Sequence, residues 1–169
     1  MLWHFEGLEG IEWETVGVVA GFSGRFDHSI DEKGRVSIPV RFREILQGDH
    51  DDVLYITNCN FDKERCLELY PPREWQRLVG KLQQKKSFTP EIRAFQAFYI
   101  GGAHEVQVDK AGRILIPARL REYAALERDA TFSAMIDHFQ LWNRQTLDRH
   151  LTNIEATVGD PRFLKELDL

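Results

Sequence analysis

From Arg25 onward, apolar and polar residues alternate. Phe26, His28 and Ile30 are separated by Asp27 and Ser29, the period-2 pattern of a strand with one buried face. Asp31 to Gly34 breaks the alternation and predicts a turn, in which Asp bonds nearby backbone and Gly accepts a positive φ. Val36 and Ile38 resume a strand. Pro39 suits the first turn of a helix, where a missing N–H costs little, and Phe42, Ile45 and Leu46 follow at helical spacing. Residues 54–56 and 66–70 read as two further strands, joined by a long loop around residues 58–65. After Pro71-Pro72, the stripe Trp75, Leu78, Val79 and Leu82 predicts an amphipathic helix, weakened at its end by Gly80 and by Lys85-Lys86-Ser87. Thr89-Pro90-Glu91 marks a helix start with Thr as the cap. Ile92, Phe95 and Tyr99 are its apolar side, and Gly101-Gly102 closes it. Residues 132–136 and 139–142 predict two more strands, with Leu147, Leu151 and Ile154 on a last helix before a mixed tail.

The pattern is written twice. Asp31-Glu32-Lys33-Gly34-Arg35-Val36-Ser37-Ile38-Pro39-Val40-Arg41-Phe42-Arg43-Glu44 returns 78 residues later as Asp109-Lys110-Ala111-Gly112-Arg113-Ile114-Leu115-Ile116-Pro117-Ala118-Arg119-Leu120-Arg121-Glu122. Leu120, Tyr123 and Ala124 stand where Phe42, Ile45 and Leu46 stand, so the buried helix faces match as well. A fixed-offset repeat signals two copies of one supersecondary unit. The offset falls to about 72 by the later strands, which places extra length in the first copy. A unit this small rarely buries enough core to fold alone, and two copies in one chain could complete each other.

Composition narrows the function classes. The chain has 169 residues, 43% of them apolar, and no apolar run approaches the roughly 18 residues of a membrane span. No basic residue precedes the first apolar ones, which argues against a secretory signal. Two cysteines make no disulfide framework and fit a reduced, cytoplasmic setting. The net charge of −5 argues mildly against nucleic-acid binding. Residues 1–21, however, carry Glu6, Glu9, Glu12 and Glu14 and no Lys or Arg. The remainder is close to neutral, with basic residues gathered in the repeats, and a local patch matters more to a phosphate backbone than the sum does. Residues 1–21 have no partner in the repeat. A misassigned translation start at Val18 or Val19 is the plainer account of them, and an acidic, aromatic segment (Trp3, Phe5, Trp13) that docks on a partner is the other.

Asp-x-x-Gly-Arg followed by Ile-Pro-x-x-x-Arg, twice in a chain of this size, closely resembles the MraZ family within the wider AbrB-like group of DNA-binding folds. Phe22-Ser23-Gly24 resembles the family's opening residues, and the likeness runs from about Phe22 to about Leu151. The acidic extension departs from the pattern. The resemblance implies an α+β fold: two tandem AbrB-like swapped-hairpin modules forming an intrachain pseudo-dimeric β-barrel with peripheral helices. The divisions expected are an extension over 1–21, a first module with its trailing helix over 22–88, a linking helix and second module over 89–152, and a tail over 153–169. The resemblance also implies a ring-like homo-oligomer that binds repeated boxes of double-stranded DNA in the promoter of the division and cell-wall gene cluster. There it would regulate transcription, usually as a repressor, in the cytoplasm at the nucleoid. A protein-interaction module of antitoxin type is the alternative.

The candidate DNA-contacting residues are Arg35, Arg43, Arg113 and Arg121, with Lys33, Lys110, Arg41 and Arg119 beside them. Arg35 and Arg113 follow the turn glycines and could present a planar donor fork to DNA; an ion pair with Asp31 or Asp109 that holds the turn is the other reading, and the two can coexist. Asp31 and Asp109 read as turn-builders. Lys33 and Lys110 occupy different positions of the repeat and suit sequence-independent phosphate contact. Arg41 and Arg43, two apart on a helix, point about 200° from each other, so one of each pair is expected to be solvated or paired with Glu44 or Glu122. Arg43 and Arg121 fit the resemblance better. Arg25 lacks a basic counterpart. Cys59 and Cys66, even with His50 nearby, do not have metal-site spacing, and His138 is expected to be an exposed loop residue. No nucleophile–His–Asp set, Gly-x-Gly-x-x-Gly or Walker loop is present. No enzyme activity, cofactor, metal or small-molecule substrate is expected, and no membrane partner.

Overall fold

The computed structural model describes residues 21–48, 52–61, 63–85 and 89–166. The expectations for residues 1–20, His50, Lys86 and Ser87 fall outside them. In chain order the elements are β1 (Arg25–Ser29), β2 (Arg35–Ser37), α1 (Val40–Gly48), β3 (Val53–Phe61), β4 (Glu64–Tyr70), α2 (Pro72–Gln83), α3 (Pro90–Phe95), β5 (His104–Gln107), β6 (Arg113–Leu115), α4 (Ala118–Tyr123), β7 (Asp129–Ala134), β8 (Phe139–Asn143), α5 (Arg144–Val158) and α6 (Pro161–Glu166). α3 runs on as a π-helical turn over Gln96–Ile100. Thr89 caps it, accepting a hydrogen bond from Ile92 N at 3.4 Å. Among the described residues no helix is long and apolar enough to cross a membrane.

Six strands form one antiparallel sheet in the order β1-β7-β8-β4-β3-β5, and β2 pairs with β6 in a separate two-stranded ribbon. Matched by repeat copy, the order reads the same from both ends. Each copy's first strand pairs with the other copy's third, β1 with β7 and β5 with β3. The centre lies between β4 and β8, where Glu68 opposes Gln140. The ladder is open, with β1 and β5 as its edges.

Strand alternation divides the core between the two faces. Leu54, Ile56, Leu67, Leu69, Phe139 and Leu141 point to one face, where they meet Val36, Ile38, Ile114 and Ile116 of the ribbon and Phe42 and Leu120 of α1 and α4. Phe42 is fully buried, with Phe22, Phe26 and Phe139 ring centroids within 5.3 Å. The opposite face carries Cys66, Tyr70 and Trp142 beneath Trp75 of α2, Tyr99 of the π turn and Leu147 of α5.

Three sequence expectations fail. Residues 58–61 and 64–65 are not loop: β3 and β4 run through them as a long hairpin, pairing Asn58 with Leu67, Cys59 with Cys66, Asn60 with Arg65 and Phe61 with Glu64. The extra length of the first copy is therefore ladder. His138 is not an exposed loop residue either. Its ring stacks on Tyr70 at 4.3 Å and its side chain is 12% exposed, because the turn before β8 folds it back over β4. The strand expected over 132–136 ends at Ala134, and Ile136 bridges Phe22.

Candidate nucleic-acid interface

Each Asp-x-x-Gly-Arg segment builds its turn in the same way. Asp31 Oδ1 accepts hydrogen bonds from the backbone N–H groups of Lys33 at 3.0 Å and Arg35 at 2.9 Å. Asp31 Oδ2 accepts from Arg35 Nε at 2.8 Å. In the second copy Asp109 Oδ1 accepts from Ala111 N and Arg113 N, and Oδ2 from Arg113 Nε, all at 2.9 Å. The backbone bonds from Arg35 and Arg113, followed by their guanidinium groups, hold both carboxyls below the usual carboxylate range despite some desolvation. The ion-pair reading of Arg35 and Arg113 thus describes their geometry, and about a third of each side chain stays exposed.

The two turns are locked to each other. Ile38 N donates to the Gly112 carbonyl at 2.9 Å, and Ile116 N donates to the Gly34 carbonyl at 3.0 Å. These bonds extend the β2–β6 ribbon at both ends, with Arg35 opposite Leu115 and Ser37 opposite Arg113. Gly34 and Gly112 have φ of +82° and +75°, where a side chain is strained.

Space at those glycines is taken by the other copy's arginine. A Cβ on Gly34 would lie 2.5 Å from Arg121 Cζ, and one on Gly112 would lie 2.5 Å from Arg43 Nη1. Arg43 and Arg121 leave α1 and α4 and lie flat against the opposite turn. Their Nε atoms are buried with no hydrogen-bond partner among the described residues. Burial first, then the charge of Arg43, lowers the pKa of His28 on β1, favouring its neutral form.

Two composite clusters result. One turn gathers Lys33, Arg35 and Arg121, and the other gathers Lys110, Arg113 and Arg43. Asp31 and Asp109 each pair with the arginine four residues on, and Glu32 stands beside Lys33 in the first turn, so the guanidinium contributed across the copies, by Arg121 or Arg43, adds a further positive charge at each turn. Arg41 is exposed on α1 and joins neither cluster. Arg119 lines a separate cavity of about 240 Å³ with Asn58, His104 and Tyr123. The sequence singles out the arginines as candidates but does not show the glycine carbonyls that clamp the turns or the seating of Arg43 and Arg121 on the other copy. The in-register spacing of Gly and the last Arg in both copies was the available signal.

Comparison with known proteins agrees with this duplication. A family model described as "MraZ protein, putative antitoxin-like" matches the chain twice, over residues 22–98 and 99–161. The transcriptional regulator MraZ of Syntrophobacter fumaroxidans is 41% identical over 130 residues, covering 77% of this chain and 84% of that protein. The protein of that name from Desulforamulus reducens is 39% identical over 136 residues, covering 80% and 91%. That of Thermoanaerobacter pseudethanolicus is 35% identical over 147 residues, covering 86% and 98%.

Proposed function

The chain belongs to the MraZ family, and from that premise we propose that it is a sequence-specific DNA-binding regulator of transcription. The observation that carries this reading is the pair of composite clusters. Each presents an ordered guanidinium at a turn, with a second arginine and a lysine beside it. Paired planar donors suit phosphate and guanine edges alike. Two equivalent clusters in one chain suit repeated DNA boxes, and a ring-like homo-oligomer would multiply them, so that avidity compensates for an acidic overall charge. Arg35, Arg43, Arg113 and Arg121 make the principal contacts, Lys33 and Lys110 touch phosphate, and Arg41 and Arg119 are peripheral. The target is the promoter of the division and cell-wall gene cluster, where the protein acts as a repressor in the cytoplasm at the nucleoid. Exchange of β1 and β5 between the copies, with the pairing of β2 and β6, supports a swapped-hairpin, barrel-like relation of the modules.

The test is binding of the purified chain to its own upstream DNA and to a scrambled duplex across a salt series. The expected result is a strong preference for the upstream DNA at moderate salt, with affinity falling steeply as salt rises through counterion release. Equal affinity for the two duplexes would sink the proposal.

A further inference from the structure

The sheet face that carries Glu68 is covered unequally in its two halves. Over the first half lies the π turn that ends α3. Thr57 Oγ1 donates to the Tyr99 carbonyl at 2.5 Å, the Tyr99 hydroxyl reaches Glu68, and the Tyr99 and Trp75 rings stack at 6.3 Å. The repeat gives these groups counterparts in the second half: Ser133 for Thr57, Gln140 for Glu68 and Leu147 for Trp75. The counterparts line an open groove of about 590 Å³ between β7 and α5. Among the described residues nothing fills the position that Tyr99 fills on the other side. Next to it Met135 and Ile136 are 41% and 75% exposed.

Chain order indicates what belongs there. α3 and its π turn lead directly into β5. Residues 12–22 share no residue pattern with 90–100, but they hold the same place in the chain, running directly into β1 as 90–100 run into β5, with Gly21 at the place of Tyr99. Phe22 already runs beside the groove, its N–H donating to the Ile136 carbonyl at 2.7 Å, and Gly24 and Arg25 form part of the lining. The stretch before it holds Trp13, Val16, Val18 and Val19 with Glu12 and Glu14. The groove offers Leu147, Leu151 and Ile154 for the apolar groups, and Arg25 and His150 for the acids. Trp13 lies eight residues before Gly21, a reach of about 12 Å if helical and at most about 28 Å if extended.

We infer that residues 12–20 dock in this groove of their own chain, completing on the second half the cover that α3 supplies on the first. This holds whether or not the turn clusters bind DNA. The test is amide hydrogen exchange on the full chain at two protein concentrations, with Trp13→Ser/Val16→Ser and Arg25→Glu as variants. Exchange in residues 131–136 and 147–154 should be about tenfold faster in the Trp13→Ser/Val16→Ser variant. Arg25→Glu should act in the same direction, and adding Glu12→Arg with Glu14→Arg should restore protection. Arg25 is exposed, so its reversal tests the contact without disturbing the core. Unchanged exchange in the variants, or failure of the charge reversal to rescue, would overturn the inference. So would protection that rises with protein concentration and ignores these substitutions, since the groove would then belong to a second copy.

Discussion

Gly34 and Gly112 each meet two demands at one Cα. The backbone turns through positive φ, and the arginine of the other copy occupies the space a side chain would need. Placing Ala at Gly34 therefore strains φ, a penalty of about 1–2 kcal/mol, and also displaces Arg121. The two effects separate in a double-mutant cycle. Gly34→Ala should destabilise less, by about 1 kcal/mol, when Arg121 is already Ala. Urea melts of the four proteins measure this, and strictly additive losses would mean that Arg121 does not rest on the turn. The Asp-Gly turn itself was legible in the sequence, because Asx bonding and positive φ are local. The arginine's seat was not, because it depends on two segments far apart in the chain meeting across the ribbon.

At the scale of elements, the centre of the sheet holds a buried polar network where apolar pairing would be the default. Glu68 on β4 accepts hydrogen bonds from the Tyr70 hydroxyl at 3.0 Å, from Gln140 Nε2 on β8 at 3.1 Å and from the Tyr99 hydroxyl of the π turn. Gln140 in turn accepts from Trp142 Nε1 at 2.9 Å. His138 Nε2 approaches Glu68 Oε1 to 3.5 Å, and His138 Nδ1 lies 2.7 Å from Asp137 Oδ1. Burial opposes the charge on Glu68, but His138 and Tyr99, with Gln140, outweigh it and bring its pKa down to about 2. Burial likewise opposes the charge on His138, while Glu68 and Asp137 outweigh it and raise its pKa above the ordinary 6.5. A raised folded-state pKa contributes stability that is complete below the unfolded value and disappears as pH rises through the folded one. Thermal melts should therefore fall by a few degrees as pH climbs above about 6.5, and His138→Gln should flatten that slope. A wild-type profile with no such fall, or an equal slope in the variant, would remove His138 from the network. Most strands were legible from alternation. The tip of the β3–β4 hairpin was not, because Asn58, Asn60 and Arg65 have the composition of a loop and become ladder only by pairing. His138 was misread for a related reason: its position in sequence is a turn, and its burial comes from Tyr70 and Glu68 on a different strand.

For the whole molecule, the in-register repeat made the two-copy architecture readable before any coordinates. The exchange of first strands and the mutual seating of Arg43 and Arg121 did not follow from periodicity, which carries no information on which copy a strand pairs with. That exchange means neither cluster is the property of one module, and it shapes the expected response to removing Arg35 and Arg113. Each turn should survive the loss, because Asp31 Oδ1 and Asp109 Oδ1 still accept two backbone hydrogen bonds and the glycine carbonyls still accept from Ile116 and Ile38. Melting temperature and oligomer size in Arg35→Ala/Arg113→Ala should stay close to the parent, since an exposed ion pair contributes little. DNA affinity should behave differently. Each lost phosphate contact lowers the slope of log affinity against log salt by about one, and in the proposed homo-oligomer the loss would be repeated in every subunit engaged on the same DNA. Either single variant should weaken binding, by similar amounts because the clusters are equivalent, and the double variant should abolish preference for the upstream DNA. Fluorescence-anisotropy titrations of the four proteins at two salt concentrations, with melts run alongside, decide the matter. Retained binding in a folded double variant would take both arginines out of the interface, whereas a collapsed melt would assign them to holding the turns.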